Sequence, residues 1–183
     1  MRVDVIDMTD SALGNSREKL VKDYSEAIFK MYPMSNGIVQ MIDDVYNYVS
    51  ASGKIRILRI WGHGWAGGQL IAAGTDSQSG ADNASALWGS NVDAYSDSLS
   101  KLTELFAGNG HVELKGCQVG QGTTGEMFLV KLAVALNVPV QAGQTTQGGS
   151  GTSLSSANGV GWDGVVVEAT PDYVVKYVQG SAL

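Results

Sequence analysis

The stretch Ile55-Arg56-Ile57-Leu58-Arg59-Ile60-Trp61-Gly62-His63-Gly64 decides how this chain is read. Its apolar, β-branched run predicts a strand, and the glycines around His63 predict a tight turn at its end. A second stretch repeats the plan: His111-Val112-Glu113-Leu114-Lys115-Gly116-Cys117. Each strand ends in small residues with one reactive side chain at the tip. Cys117 is the only cysteine, and His63 is one of two histidines. The reading that follows is that the two strands lie side by side and bring thiol and imidazole together.

Upstream, Val3, Val5 and Ile6 suggest a first strand. Leu20, Val21, Tyr24, Ala27, Ile28 and Met31 recur at helical spacing, so a helix is expected over residues 16–32, capped by Asn15 or Ser16. Ile38, Met41, Ile42, Val45, Tyr46 and Val49 mark a second helix ending near Gly53. Arg56 and Arg59 are expected near the ends of their strand or on a partly open face. Between the two key strands, residues 69–73 suggest a short strand. Residues 74–97 read as loop, anchored by Leu87 and Trp88. Leu99, Leu102, Leu105 and Phe106 form a short helix closed by Gly108.

Downstream of Cys117, Gly120 and Gly122 form a turn and Thr123 or Thr124 caps a helix through Leu136, ended by Asn137. Residues 138–142 form a strand, and 144–161 are almost entirely Gly, Ser, Thr, Gln and Asn. Residues 164–169 and 173–178, joined by Thr170-Pro171-Asp172, predict a terminal β-hairpin. Strands alternating with helices point to an α/β layered fold in one domain spanning residues 1–183.

Composition narrows the function. The chain has 183 residues, 24 glycines and a net charge of −6. No basic run or stripe is present, which argues against a nucleic-acid partner. No apolar stretch reaches the roughly 20 residues of a membrane span. The amino terminus lacks the basic-then-apolar order of a secretory signal peptide. The expectation is a cytoplasmic chain, or one exported by a route that reads another signal. A single cysteine excludes an intrachain disulfide.

In open α/β sheets reactive groups gather at the carboxyl ends of strands, where His63 and Cys117 both sit by this reading. A thiol becomes nucleophilic once a neighbouring imidazole takes its proton. Glycines at 62, 64 and 116 let a substrate backbone approach and free nearby N–H groups to meet an oxyanion. That machinery suits peptide-bond hydrolysis, with Gly64 and Gly116 as backbone elements of the oxyanion site. The bland alternative is that Cys117 is a small buried hydrophobe and His63 a structural residue. Other chemistries fit less well. Gly116–Thr124 has neither the lysine nor the spacing of a Walker loop. Position 123 is threonine where a cysteine-phosphatase loop needs arginine. Cys117, His63 and His111 are too few ligands for zinc without carboxylates. No Gly-x-Ser-x-Gly elbow occurs. No metal and no cofactor are implied; the expected partner is a peptide or protein substrate, and the sequence leaves the oligomeric state open.

At these residues the sequence resembles the caspase-like cysteine peptidases, in which an apolar strand runs into His-Gly and another into Ala-Cys or Gly-Cys. In caspases the histidine precedes the cysteine by about 50 residues; here the separation is 54. The closer resemblance is to a caspase-like domain near the amino termini of very large bacterial surface and repeat proteins. The matching segments are Ile57–Gly64, Gly68-Gln69-Leu70, Leu114–Gly120, Gly125-Glu126-Met127-Phe128, Val138–Gly143, and Trp162 with Glu168. The resemblance implies a three-layer sandwich around a mostly parallel sheet. It implies His63 as general base and later acid, Cys117 as nucleophile, and the N–H groups of Gly64 and Cys117 as oxyanion donors. Two departures stand out. Glu113 and Lys115 alternate onto the face of Cys117, so that face is open or the charges pair, with a solvated Lys115 favoured. The acidic residue by which arginine-specific relatives hold substrate has no clear counterpart; Asp76, Asp82, Asp163 and Glu168 are candidates. The function expected is a cysteine endopeptidase, self-processing being one form. The alternatives are a catalytically silent caspase-like binding or assembly module, or a component of a bacterial effector or toxin.

Overall fold

The computed structural model describes residues 1–33, 36–72, 84–147 and 161–179. Its strands are β1 (Arg2–Asp7), β2 (Ala27–Met31), β3 (Ile55–Trp61), β4 (Gly64–Trp65), β5 (Gly68–Leu70), β6 (Ala86–Trp88), β7 (Phe106–Leu114), β8 (Val140–Gly143), β9 (Val165–Ala169) and β10 (Val175–Gln179). Its α-helices are α1 (Ser11–Val21), α2 (Gly37–Ser52), α3 (Ser96–Ser100) and α4 (Gly122–Leu136). Seven strands form one sheet in the order β10-β9-β8-β7-β3-β1-β2, and β4-β5-β6 form a small second sheet. β2, β1, β3, β7 and β8 are mutually parallel, while β9 pairs antiparallel with both β8 and β10. This is the mixed α/β fold, with its terminal hairpin, that the alternating pattern implies.

Strand residues alternate between faces, so each strand contributes to two layers. On one face Val3, Val5, Leu58, Ile60, Val112, Leu114, Val140 and Ala142 pack with Ile38, Met41, Ile42, Val45 and Val49 of α2 and Phe128, Leu129, Leu132, Ala133 and Leu136 of α4. On the other face Ile6 and Trp61 pack with Leu20 and Val21 of α1. The second face is much more polar. Register sets Asp4 beside Arg59, Arg59 beside Glu113, Glu113 beside Gln141, Gln141 beside Glu168, and Glu168 beside Lys176. A row of polar side chains therefore crosses six strands.

Four expectations are corrected. The helix read over residues 16–32 ends at Val21, and Ala27–Met31 is a strand paired with Val3–Asp7. Asp10, rather than Asn15 or Ser16, caps α1, accepting the Leu13 N–H at 3.1 Å. Gly108 lies inside β7, which starts at Phe106, instead of closing a helix. Arg59 is 2 % exposed, so it does not lie on an open face; Arg56, the second residue of β3, is exposed. No helix among the described residues is long and apolar enough to cross a membrane.

Candidate functional site

β3 and β7 are neighbours, and from Ile57 onward they keep one register: Ile57 faces His111, Leu58 faces Val112, Arg59 faces Glu113 and Ile60 faces Leu114. In these four pairs the β7 residue is numbered 54 above its β3 partner, whereas Ile55 pairs with Phe106 across a register shift. Cys117 is also numbered 54 above His63. The separation of His63 and Cys117 in sequence equals this register, and both residues follow the carboxyl ends of the two neighbouring strands. The Lys115 N–H donates to the Ile60 carbonyl at 2.8 Å and closes the last pair of the two strands.

Backbone packing closes the two tips. A Cβ on Gly64 would meet Cys117 O and Gly116 Cα at 3.0 Å and the Val119 Cγ2 at 2.6 Å. Only a residue without a side chain lets the histidine turn lie against the cysteine turn. Gly64→Ala is therefore expected to cost about 1–3 kcal/mol in urea denaturation and to slow alkylation of Cys117. Unchanged stability and rate would show that the turns are not in tight contact.

Gln69 joins the tips from below and is fully buried. Its Nε2 donates to the His63 carbonyl at 3.3 Å and the Leu70 carbonyl at 2.9 Å, while its Oε1 accepts the Gly116 N–H at 2.9 Å. The Gly116 N–H is thereby engaged and does not point at a ligand; Gly116 contributes close approach instead. The Cys117 N–H has no hydrogen-bond partner among the described residues, which leaves it, with Gly64, as a backbone candidate for an oxyanion.

His63 and Cys117 are each held by a further residue. The His63 Nε2 lies 3.3 Å from Asp10 Oδ2, with both side chains about one-third exposed. A ring that donates Nε2–H to this carboxylate has Nδ1 as its acceptor. The Cys117 sulfur accepts the Gln147 N–H at 3.4 Å and lies 3.7 Å from the Gln147 carbonyl. Gln147 is fixed in turn by its amide, whose Nε2 donates to Asp163 O at 2.9 Å and whose Oε1 accepts the Asp163 N–H at 3.0 Å.

The polar face below Cys117 is closed, and its charges pair. Glu113 Oε2 lies 3.0 Å from Arg59 Nε and 3.2 Å from Lys115 Nζ; Oε1 lies 3.2 Å from His111 Nε2. The solvated Lys115 expected from the sequence is overturned: it is 3 % exposed, donates to Gly161 O at 3.1 Å and lies 3.5 Å from the centre of the Trp162 ring. The cause is the pairing with Glu113, which the sequence left open. Burial pulls the Lys115 pKa down to about 8 against the opposing charge of Glu113. Burial alone would push Glu113 up, but the His111 hydrogen bond and the Lys115 and Arg59 charges hold it at about 2.

Of the acidic candidates, Glu168 accepts from Gln141 Nε2 at 2.7 Å and Asp163 holds Gln147 through its backbone. Asp76 and Asp82 lie outside the described residues. Trp65 and Trp88 form a tilted pair with ring centres 6.3 Å apart on the small sheet that begins at Gly64. No group of three metal-binding side chains occurs among the described residues. Asp10, Gln69, Arg17 and Gln147 were not picked out for a role from the sequence. Gln69 alone left a trace there, as the polar residue between Gly68 and Leu70.

A family model described as a domain of unknown function (DUF4347) matches residues 8–155, and the chain belongs to that family. No curated protein and no solved structure matches the chain.

Proposed function

We propose that this member of the DUF4347 family is a cysteine endopeptidase with a His63–Cys117 dyad. The observation that supports the reading is that both residues follow the carboxyl ends of adjacent parallel strands, where Gly64 packs against the backbone of Gly116 and Cys117. His63 Nδ1 takes the thiol proton, and the sulfur attacks the scissile carbonyl carbon. The Cys117 N–H, with that of Gly64, meets the oxyanion. The imidazolium then protonates the leaving amine, leaving a thioester on Cys117. His63 next activates a water that hydrolyses this thioester. Asp10 acts as a positioning residue: it holds the tautomer that keeps Nδ1 unprotonated between steps. Trp65 and Trp88 are candidates for apolar contact with the peptide.

A second reading, a catalytically silent caspase-like binding module, is favoured by one observation. The imidazole faces Asp10 and the sulfur faces Gln147, with no hydrogen bond between the two. Because Cys117 is the only cysteine, iodoacetamide uptake followed by intact mass separates the readings. An active dyad is expected to lose roughly tenfold or more in alkylation rate in His63→Ala. Asp10→Asn keeps the helix cap and removes the carboxylate, so its rate should fall between the two. Equal, slow rates in all three proteins would establish the silent module.

A further inference from the structure

Buried polar atoms are nearly always partnered, and each exception asks for a cause. Three exceptions belong to residues of the corner where β1 crosses into α1: Arg17 Nη1, Asp7 Oδ2 and Thr9 Oγ1. Arg17 is 8 % exposed and Asp7 is 4 % exposed. Asp7 Oδ1 accepts the Thr9 N–H at 2.9 Å, which leaves Oδ2 over. Arg2 Nε and Arg59 Nη1 also lack a hydrogen bond, but those arginines face carboxylates: Arg2 faces Glu26, and Arg59 faces Asp4 and Glu113. Arg17 has neither a hydrogen bond nor an ion pair among the described residues; its guanidinium lies 5.9 Å from the centre of the Trp61 ring. Keeping a guanidinium so deep without a partner is costly unless something arrives to meet it.

The corner adjoins the dyad. Ile6, the residue before Asp7, pairs with Trp61, two residues before His63. Asp10, three residues on, already holds His63. Burial pulls the Arg17 pKa down, and its nearness to Cys117, Asp7 and Asp10 opposes that fall.

We propose that this corner is the subsite for the substrate side chain on the acyl side of the scissile bond, and that it takes a primary carboxamide, glutamine or asparagine. The inference rests on the peptidase reading above. The argument is one of complementary donors and charge. Arg17 Nη1 offers a hydrogen and Asp7 Oδ2 offers lone pairs, and their charges balance each other. A carboxylate would satisfy Arg17 but face Asp7 as a like charge. An ammonium or guanidinium would satisfy Asp7 but face Arg17. An aliphatic side chain would leave all three atoms unpartnered. A carboxamide accepts from Arg17 through oxygen and donates to Asp7 through nitrogen, and the Thr9 hydroxyl serves whichever valence is left.

The test uses the full chain and tripeptidyl acyloxymethyl ketones that differ only in the residue at the acyl position: Gln, Asn, Glu, Lys or Leu. Intact mass reads the rate at which each labels Cys117. The better of the Gln and Asn probes should label at least tenfold faster than Glu, Lys or Leu. In Arg17→Met the ratio of that rate to the Leu rate should fall to near one. A Glu, Lys or Leu probe that matches the amide probes in the wild-type chain overturns the assignment, whether or not Arg17→Met folds. The parallel iodoacetamide comparison with His63→Ala separates the two failures. If His63 matters but the side chain does not, the corner alone is refuted; if His63 does not matter, the peptidase reading falls and the subsite with it.

Discussion

Glu113→Gln is expected to lose about 3–5 kcal/mol of folding stability at pH 7, the cost of removing one member of a buried charge network. The Glu113 side chain is 5 % exposed and is the common partner of Arg59, Lys115 and His111. Gln keeps the shape and one acceptor but removes the countercharge that Arg59 and Lys115 share. Asp4 compensates only in part, because its nearest approach to Arg59 is 3.6 Å and Ser25 and Trp61 also use its oxygens. The sign of the pH dependence follows from a folded pKa of about 2 against an ordinary 4.5. The ionised form is favoured in the fold, so the contribution of Glu113 is complete above about pH 4.5 and fades as pH falls through 2. The stability gap between wild type and Glu113→Gln should therefore be widest near neutrality and shrink by about 3 kcal/mol toward pH 2. Asp4, which burial pushes the other way, is present in both proteins, so taking the difference removes most of its effect. Urea titrations at pH 7, 4 and 2.5 read the gap directly. A gap that stays constant or widens in acid would show that Glu113 is not held as a carboxylate.

The same network shows where a sequence is legible and where it is not. The strand over 55–61, helices α2 and α4 and the terminal hairpin follow from periodicity and turn residues, because each has a long pattern with clear ends. Residues 27–31 do not. Ala27, Ile28 and Met31 fit a helical spacing, and five residues are too few for alternation to outweigh it. What makes them a strand is the edge that β1 offers: Val3–Asp7 pair with them, and the Glu26 N–H donates to Arg2 O. Helix α1 ends where the Tyr24 and Ser25 N–H groups both turn back to Val21 O, a local event no spacing announces. Arg59 and Lys115 look like surface residues in isolation, since burying a charge is costly by itself. They are buried because strand register brings Asp4, Glu113 and Gln141 level with them or their partners. At the candidate site, His63 and Cys117 stand out through rarity and glycine context. Asp10 and Arg17 carry no such mark, because they reach the site only through the β1–α1 crossing.

Gln69→Met is expected to undo the site while preserving most of the packing. Methionine is close to glutamine in volume and adapts to irregular space, so the core beneath the tips stays filled. What disappears is the bridge. The Gly116 N–H loses its acceptor at 2.9 Å, and the His63 carbonyl loses the amide that donates to it at 3.3 Å. Stranding the buried Gly116 N–H costs about 1–3 kcal/mol, and the weakened carbonyls add to it, giving an expected loss of about 2–4 kcal/mol in denaturant midpoint analysis. The larger effect is on reactivity. The His63 turn and the Gly116-Cys117 turn come from different strands, and Gln69 is the side chain that bonds to both. Without it the imidazole and thiol move independently, and iodoacetamide uptake should fall to within a few-fold of the His63→Ala rate. The double variant Gln69→Met with His63→Ala should then be no slower than either single variant, because the glutamine acts through the histidine. A Gln69→Met protein that loses stability but keeps a His63-dependent rate would limit Gln69 to folding. One that keeps both would show that contact between the glycines, rather than the amide bridge, aligns the tips.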